Sequence, residues 1–342
     1  MEAVAPPAHS WFVVMRFGLI GRLTPRGVVY AAGSLEKCGT TESECWGSVL
    51  SKNELVEKVP VSVLVQTKNE ELAIATCISS LRDYDEVVVV DSLSSDRTRE
   101  IAESMGARVV DFDWDGAYPK KKQWQLERLQ TRHPWVLFID ADEAPSEALT
   151  EAIREFVGSD SSDGYAAATL RLEYHFAGRA LRYGHRVYKT VLLRRGSAKF
   201  EPVDDLDLPG MGELEGHYQP RCDGPVAVLG GRLLHDDPDP VRTWFERHNR
   251  YSCWEAGLRQ KARLSSASEV NRTSQGKIFS RLPFKPLIFF TYSYLLRLGL
   301  LDGRAGFDYA VALSMYYWQT GLKERELMRR ESTSDSVVGV AK

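Results

Sequence analysis

Val61-Ser-Val-Leu-Val-Gln66, Glu86-Val-Val-Val-Val-Asp91 and Trp135-Val-Leu-Phe-Ile139 decide the fold. Each is an apolar, largely β-branched run of strand length, and each ends in a polar turn: Thr67-Lys-Asn-Glu70, Ser92 to Arg97, and Asp140-Ala-Asp142-Glu143. Such runs read as buried strands. Between them the spacing is helical. Glu71 to Arg82 places apolar residues at Leu72, Ala75, Ile78 and Leu81, and Thr98 to Met105 reads as a second helix before a short strand, Arg108 to Asp111. Lys122 to Gln130 is a third predicted helix, and Ser146 to Val157 a fourth with Ser146 as its N-cap. Strands alternating with helices at this spacing require right-handed crossovers and a parallel sheet, so the class is α/β with a Rossmann-like nucleotide-binding half.

Working outward, Tyr165 to Glu173 and Val187 to Arg194 are strands without intervening helices, so the second half of the sheet is expected to be antiparallel or mixed. The C-terminal third returns to helices at about Pro240 to Lys261, Pro286 to Leu301 and Gly306 to Arg330. The expected organisation is an accessory, partly ordered extension over 1–58, a nucleotide-binding domain over 59–240, a helical region over 241–330 and a loose tail over 331–342.

Composition narrows the function. The 342 residues are 43% hydrophobic and 27% charged, which fits a globular chain with a sizeable core. With 44 Lys and Arg against 47 Asp and Glu, the net charge of -3 offers no basic field for nucleic acid. Five scattered cysteines without a C-x-x-C pair point to reduced thiols rather than disulfides or structural zinc. Mean hydropathy of -0.30 opposes a polytopic membrane protein. Glu2 and Arg16 interrupt any secretory signal, so the expected location is the cytoplasm.

In an open parallel sheet, ligands sit outside the carboxyl ends of the strands. Glu70, Asp91 and the pair Asp140 and Asp142 stand there. Two carboxylates on one loop repel each other unless a cation neutralises them, and a divalent metal shared with a diphosphate does so economically. The first turn carries no G-x-G-x-x-G, and neither a P-loop nor a G-x-S-x-G elbow occurs, which disfavours nicotinamide dehydrogenases, P-loop NTPases and α/β-hydrolases.

Taken in order, Thr67-Lys-Asn-Glu70, Asp91-Ser-Leu-Ser-Ser-Asp96-Arg-Thr, Lys120-Lys-Lys-Gln123 and Phe138-Ile-Asp140-Ala-Asp142-Glu143 resemble a family-2 glycosyltransferase of the GT-A fold, close to the lipopolysaccharide-core glucosyltransferases of bacteria. The resemblance covers about Val59 to Phe156 and, more loosely, Gly184 to Lys323, including Gly230-Gly-Arg-Leu-Leu-His235. It implies that Thr67, Asn69 and Glu70 frame the base and ribose of a nucleotide-sugar donor, with Asp91 on the uracil or ribose and Asp96 capping a helix. It also implies that Lys120, Lys122 and Gln123 face the diphosphate or sugar. Asp140 then meets the ribose or metal, Asp142 the metal and diphosphate, and His235 is a candidate third metal ligand for Mn2+ or Mg2+.

An inverting transferase also needs a base for the acceptor hydroxyl. Asp204, Asp205, Asp207, Glu213 and Glu215 share one loop-like segment; Glu215 and then Glu213 are the candidates. The helix from Trp244 to Glu255, dense in Arg and aromatics, either closes over the ligand or only packs.

The stretch Pro286 to Leu296 is uncharged but shorter than the ~20 residues that span a bilayer. With Arg281, Lys285 and Arg297 around it, it reads either as a helix lying on an anionic membrane surface or as a buried core helix. A second helix, Tyr309 to Lys323, pairs with it or with a second subunit, so a homodimer stays open. The expectation is a metal-dependent inverting transferase moving a sugar from a nucleoside-diphosphate donor, a UDP-sugar by resemblance, to a saccharide or lipid-linked acceptor. A sugar-phosphate nucleotidyltransferase is disfavoured because the first turn lacks glycine. A non-catalytic nucleotide-sugar-binding scaffold is opposed by the intact Asp140 and Asp142.

Overall fold

The valine-rich run at the start of the fold is buried on both faces, as a central parallel strand must be. The computed structural model describes residues 57–215, 218–264 and 282–340. The accessory extension up to residue 56, His217 and Arg281 lie outside the described residues. In chain order the first half comprises β1 (Val59–Thr67), α1 (Ile74–Ser80), β2 (Tyr84–Asp91), α2 (Thr98–Ser104), β3 (Arg108–Asp111), α3 (Lys121–Arg128) and β4 (Trp135–Asp140). These strands pair in parallel in the order β3-β2-β1-β4. Their register matters for function, because Gln66 lies across from Asp140 and Thr67 from Asp91. Three polar strand ends therefore meet on one edge.

The chain continues through β5 (Glu143–Pro145), α4 (Glu147–Val157), β6 (Ala167–Phe176), β7 (Arg179–Ala180), β8 (Tyr188–Arg194), β9 (Ala198–Lys199), β10 (Arg221–Cys222), β11 (Val226–Val228) and β12 (Leu233–His235). Ser146 caps α4 as predicted, accepting from the Leu149 amide at 3.2 Å. The sheet extends as β4-β8-β6-β12-β5; β8 runs antiparallel to both β4 and β6, and β12 parallel to β6. This is the mixed second half, and the whole meets the α/β, GT-A expectation. Slotted between β5 and β6, β12 brings His235 opposite Glu143 on one side and Tyr174 on the other.

The C-terminal helices are α5 (Val241–Leu264), α6 (Lys285–Phe290) and α7 (Gly303–Val340). From Val59 onward the described chain belongs to one compact unit, in which Phe176 and Leu181 share a core with Ala305, Tyr309 and Ala312 of α7. Three predicted elements differ. Helix α1 is shorter than expected and leaves Leu72 exposed. The helix expected over Pro286 to Leu301 is broken: α6 passes into a π-helical turn at Thr291–Leu296 and, after Leu298 in the left-handed region (φ 61°), a 3-10 turn at Gly299–Asp302. Gly299 is pressed so closely onto the Ser293 carbonyl that a Cβ there would lie 2.8 Å from its oxygen, and the Arg297 carbonyl accepts from the Gly184 amide at 2.9 Å. A straight helix would break both contacts. Finally, α7 runs on to Val340 across the residues read as a loose tail, where no proline intervenes to stop it.

Candidate active site

The aligned strand ends line a cleft of about 880 Å3 together with residues 210–215, 218 and 219 and parts of α5 and α7. Thr67, Asn69, Glu70, Lys122, Asp140, Asp142, Glu213, Glu215 and His235 all line it, so most of the predicted residues are brought together. Asn69 holds the loop after β1 with a positive φ of 57°, a conformation asparagine tolerates, and its side chain accepts from the Ser95 amide at 2.8 Å. Asp96 accepts from the Thr98 amide at 3.0 Å at the head of α2, the capping role expected of it.

Three expected donor contacts receive other work. Asp91 is buried beneath the floor, accepting from Thr67 Oγ1 (2.9 Å), the Ser94 amide (2.8 Å) and Ser94 Oγ (2.5 Å), which locks the ends of β1 and β2 together. Lys120 is buried against Asp205 at 2.9 Å and donates to the Leu214 carbonyl. Gln123 uses its carbonyl for the Phe200 amide and its backbone amide for Glu215 Oε1. None of the three lines the cleft. A buried ammonium needs a carboxylate, and Asp205 supplies it by folding the loop back. That leaves Lys122 as the member of the basic run that lines the cleft with no carboxylate within ion-pair distance among the described residues, while Lys121, also at the wall, donates to Thr67 O (3.0 Å) and Ser92 Oγ (2.6 Å). Burial pulls the Lys121 ammonium down to about 8.

Lys189 of β8, unmarked by the motif reading, is the central cation. Its ammonium is 2.7 Å from Asp140 Oδ2 and also binds Glu143. Burial favours a neutral Asp140, yet Lys189, and then Lys122, hold its carboxyl well below the usual range. Glu143, likewise buried, competes with Asp140 for the same ammonium and sits above its ordinary value. A lone lysine inside the apolar strand Val187 to Leu193 was the available signal, since a buried lysine is almost always paired. Glu70 is pushed up to about 8, first by burial and then by Asp142, with Arg247 of α5 opposing.

Asp142 and His235 face each other, Oδ1 to Nδ1, at 3.4 Å. Burial opposes both charges, but each favours the other's ionised form, so the carboxyl lies below and the imidazole above its ordinary value. The expected three-ligand set with Asp140 is not met: among the described residues no three His, Cys, Asp or Glu side chains stand together as a metal site, because Lys189 takes Asp140. What remains is a pair, with the His235 Nδ1 buried and lacking a well-aligned hydrogen bond. A carboxylate beside such a nitrogen suits a divalent ion that completes its shell with diphosphate oxygens and water.

Glu215, also lining the cleft, is buried with Oε1 on the Gln123 amide (2.8 Å) and Oε2 without a partner among the described residues. Desolvation raises its carboxyl above the ordinary value. Glu213 is 3.9 Å from the exposed Lys68. The aromatics and Arg of α5 do line the cleft, through Trp244, Arg247, His248 and Tyr251, which favours the ligand-facing reading of that helix.

The strand ends bearing Asp140 and Asp142, Arg247 of α5 and the buried Glu215 thus line one cleft. The chain belongs to glycosyltransferase family 2. Residues 62–210 match the model of "Glycosyl transferase family 2". An uncharacterized glycosyltransferase of Rickettsia typhi is 37% identical over 272 residues, 78% of this chain and 87% of that protein. The lipopolysaccharide core biosynthesis glycosyltransferase LpsC of Rhizobium meliloti is 28% identical over 279 residues, 79% and 93% of the two chains. A glycosyltransferase of Rickettsia bellii matches at 39% over 121 residues, where the chain spans 40% of that relative's length. Among solved structures, glucosyl-3-phosphoglycerate synthase from Mycobacterium tuberculosis is similar at 18% identity with a TM-score of 0.33, over 56% of this chain and 77% of the other.

Proposed function

We propose that this glycosyltransferase is inverting and metal-assisted, taking its sugar from a UDP-sugar and passing it to a hydroxyl of a saccharide or lipid-linked acceptor. The observation that carries this reading is that one cleft is lined both by the Asp142–His235 pair and by the buried Glu215, whose Oε2 has no hydrogen-bond partner among the described residues. Asp142 and His235 would hold Mn2+ or Mg2+, which neutralises the departing diphosphate. Lys122 stands where its ammonium meets phosphate oxygens. Lys189 fixes the Asp140 carboxylate without help from the ligand, and Thr67, Asn69 and Glu70 face the nucleoside.

The Glu215 carboxylate accepts the acceptor's hydroxyl proton while that oxygen bonds to the anomeric carbon and the carbon–phosphate oxygen bond breaks on the opposite face. Its raised proton affinity makes it a better base near neutral pH than an exposed glutamate. The test is a donor screen with UDP-, GDP- and dTDP-sugars plus Mn2+, reading nucleotide release and the anomeric configuration of the product. Release from UDP-sugars with inversion is expected; retention, or release only from another nucleotide, overturns the corresponding part.

A further inference from the structure

Between Phe284 and Leu301 the chain turns its large apolar side chains outward. Phe284 is 79% exposed, Leu287 66% and Leu296 63%, with Leu295, Leu298 and Leu301 exposed beside them. These residues sit on the broken α6, π-turn and 3-10 segment, and the left-handed Leu298 keeps that segment from straightening. Phe290, Tyr294 and the exposed Phe307 meet ring to ring at 5.2–5.8 Å, so the segment and the start of α7 form one continuous shelf. Soluble proteins rarely leave so many neighbouring apolar side chains uncovered unless something binds there.

Charge around the shelf says what. Arg182 and Arg186, both exposed in the loop before β8, and Arg297 within the shelf form no ion pair with any described carboxylate. Arg186 and Arg297 both bear on the shelf residue Tyr292, and the backbone amides of Arg182 and Tyr183 donate to Asp302 at 3.1 and 2.9 Å, which pins the arginine loop to the shelf edge. Leucines and aromatics rimmed by arginines that pair with no described carboxylate fit a surface that is apolar inside and anionic at its face. No helix among the described residues is long and apolar enough to cross a membrane, so the fit is to lying on one. The same loop leads into the cleft: His185, one of its lining residues, packs on Phe289 of α6 with ring centroids 5.6 Å apart.

We propose that this shelf docks on an anionic lipid bilayer and so presents the cleft to acceptors anchored in that bilayer. The proposal rests on the transfer reading above only for the acceptor. Full-length protein should sediment with phosphatidylcholine vesicles containing phosphatidylglycerol, and more weakly with phosphatidylcholine alone or at high salt. The double variant Leu287→Glu with Leu296→Glu, altering exposed positions and expected to leave the melting temperature unchanged, should weaken vesicle binding about tenfold or more. Arg186→Glu should reduce only the component that depends on phosphatidylglycerol. Equal sedimentation of wild type and double variant overturns the proposal. So does failure of the wild type to bind, or a wild-type dimer that the double variant dissociates, which would assign the shelf to a second copy. UDP-sugar hydrolysis without vesicles, which the double variant should retain, separates the two ideas: its absence in the wild type sinks the transfer reading and leaves vesicle binding as the test of the shelf.

Discussion

The two sides of the cleft hold their chemistry in opposite ways. On the strand side, apart from the His235 Nδ1, the side chains are held by the protein: Asp91 by Thr67 and Ser94, Asn69 by Ser95, Asp140 by Lys189. On the loop and helix side, Glu215 keeps one oxygen without a partner among the described residues, in a cleft also lined by aromatics of α5 and α7. Donor binding demands a fixed frame, because charge must be stabilised where it develops without reorganisation at the moment of reaction. Proton transfer demands an atom left open for the substrate. The difference separates positioning from chemistry, and it can be broken residue by residue.

Glu215→Gln carries the largest expected effect. It preserves shape and the bond from Gln123 but removes the basic oxygen, so transfer should fall about 10²- to 10⁴-fold while nucleotide binding is unchanged. Near-normal transfer would move the base elsewhere, with Glu213 next. On the strand side the expected loss is in stability. Lys189→Met leaves Glu143 buried without its cation and Asp140 unpaired beside it, which should cost about 3 kcal/mol in a denaturant melt; an unchanged melt would mean the pair is not holding that edge.

A smaller effect follows from Glu70. Its carboxyl is ionised near 4.5 in an unfolded chain and near 8 in the fold, so the folded state holds the extra proton between those values. Stability from this group is complete below about 4.5 and is lost as pH rises toward 8. Glu70→Gln should flatten that part of the stability profile, and an unaltered slope would contradict the burial assigned to it. Smallest is Ser146→Ala, which removes the α4 cap and should cost about 1 kcal/mol without changing transfer.

The same contrast explains what could be read from the chain alone. The strand side is local: apolar runs followed by polar turns put Thr67, Glu70, Asp140 and Asp142 at strand ends before any coordinate is known. Asp91 and Lys120 stand near the same edge in the chain, yet they lie outside the cleft lining, buried against their partners. Only tertiary pairing, with Ser94 and with Asp205, decides which way a side chain is spent. His235 was singled out by its strand-like run, but its partner is set by β12 inserting beside β5. Lys189 carried no motif, and Arg247 stood out only as part of the Arg- and aromatic-dense stretch Trp244 to Glu255. Their roles come from antiparallel pairing and from a helix folding back over the sheet, contacts between segments far apart in sequence. The broken C-terminal helix escaped periodicity because its leucines sit at helical spacing while Gly299 and the loop before β8 pull the backbone out of register.

The donor edge is read most directly, and without any acceptor, by isothermal titration of UDP into the wild type and into Asp142→Ala, each with and without Mn2+. The prediction is that Mn2+ tightens UDP binding at least about tenfold in the wild type and that Asp142→Ala abolishes the gain. Equal UDP affinity with and without Mn2+ in the wild type, or a gain that survives in Asp142→Ala, would contradict it.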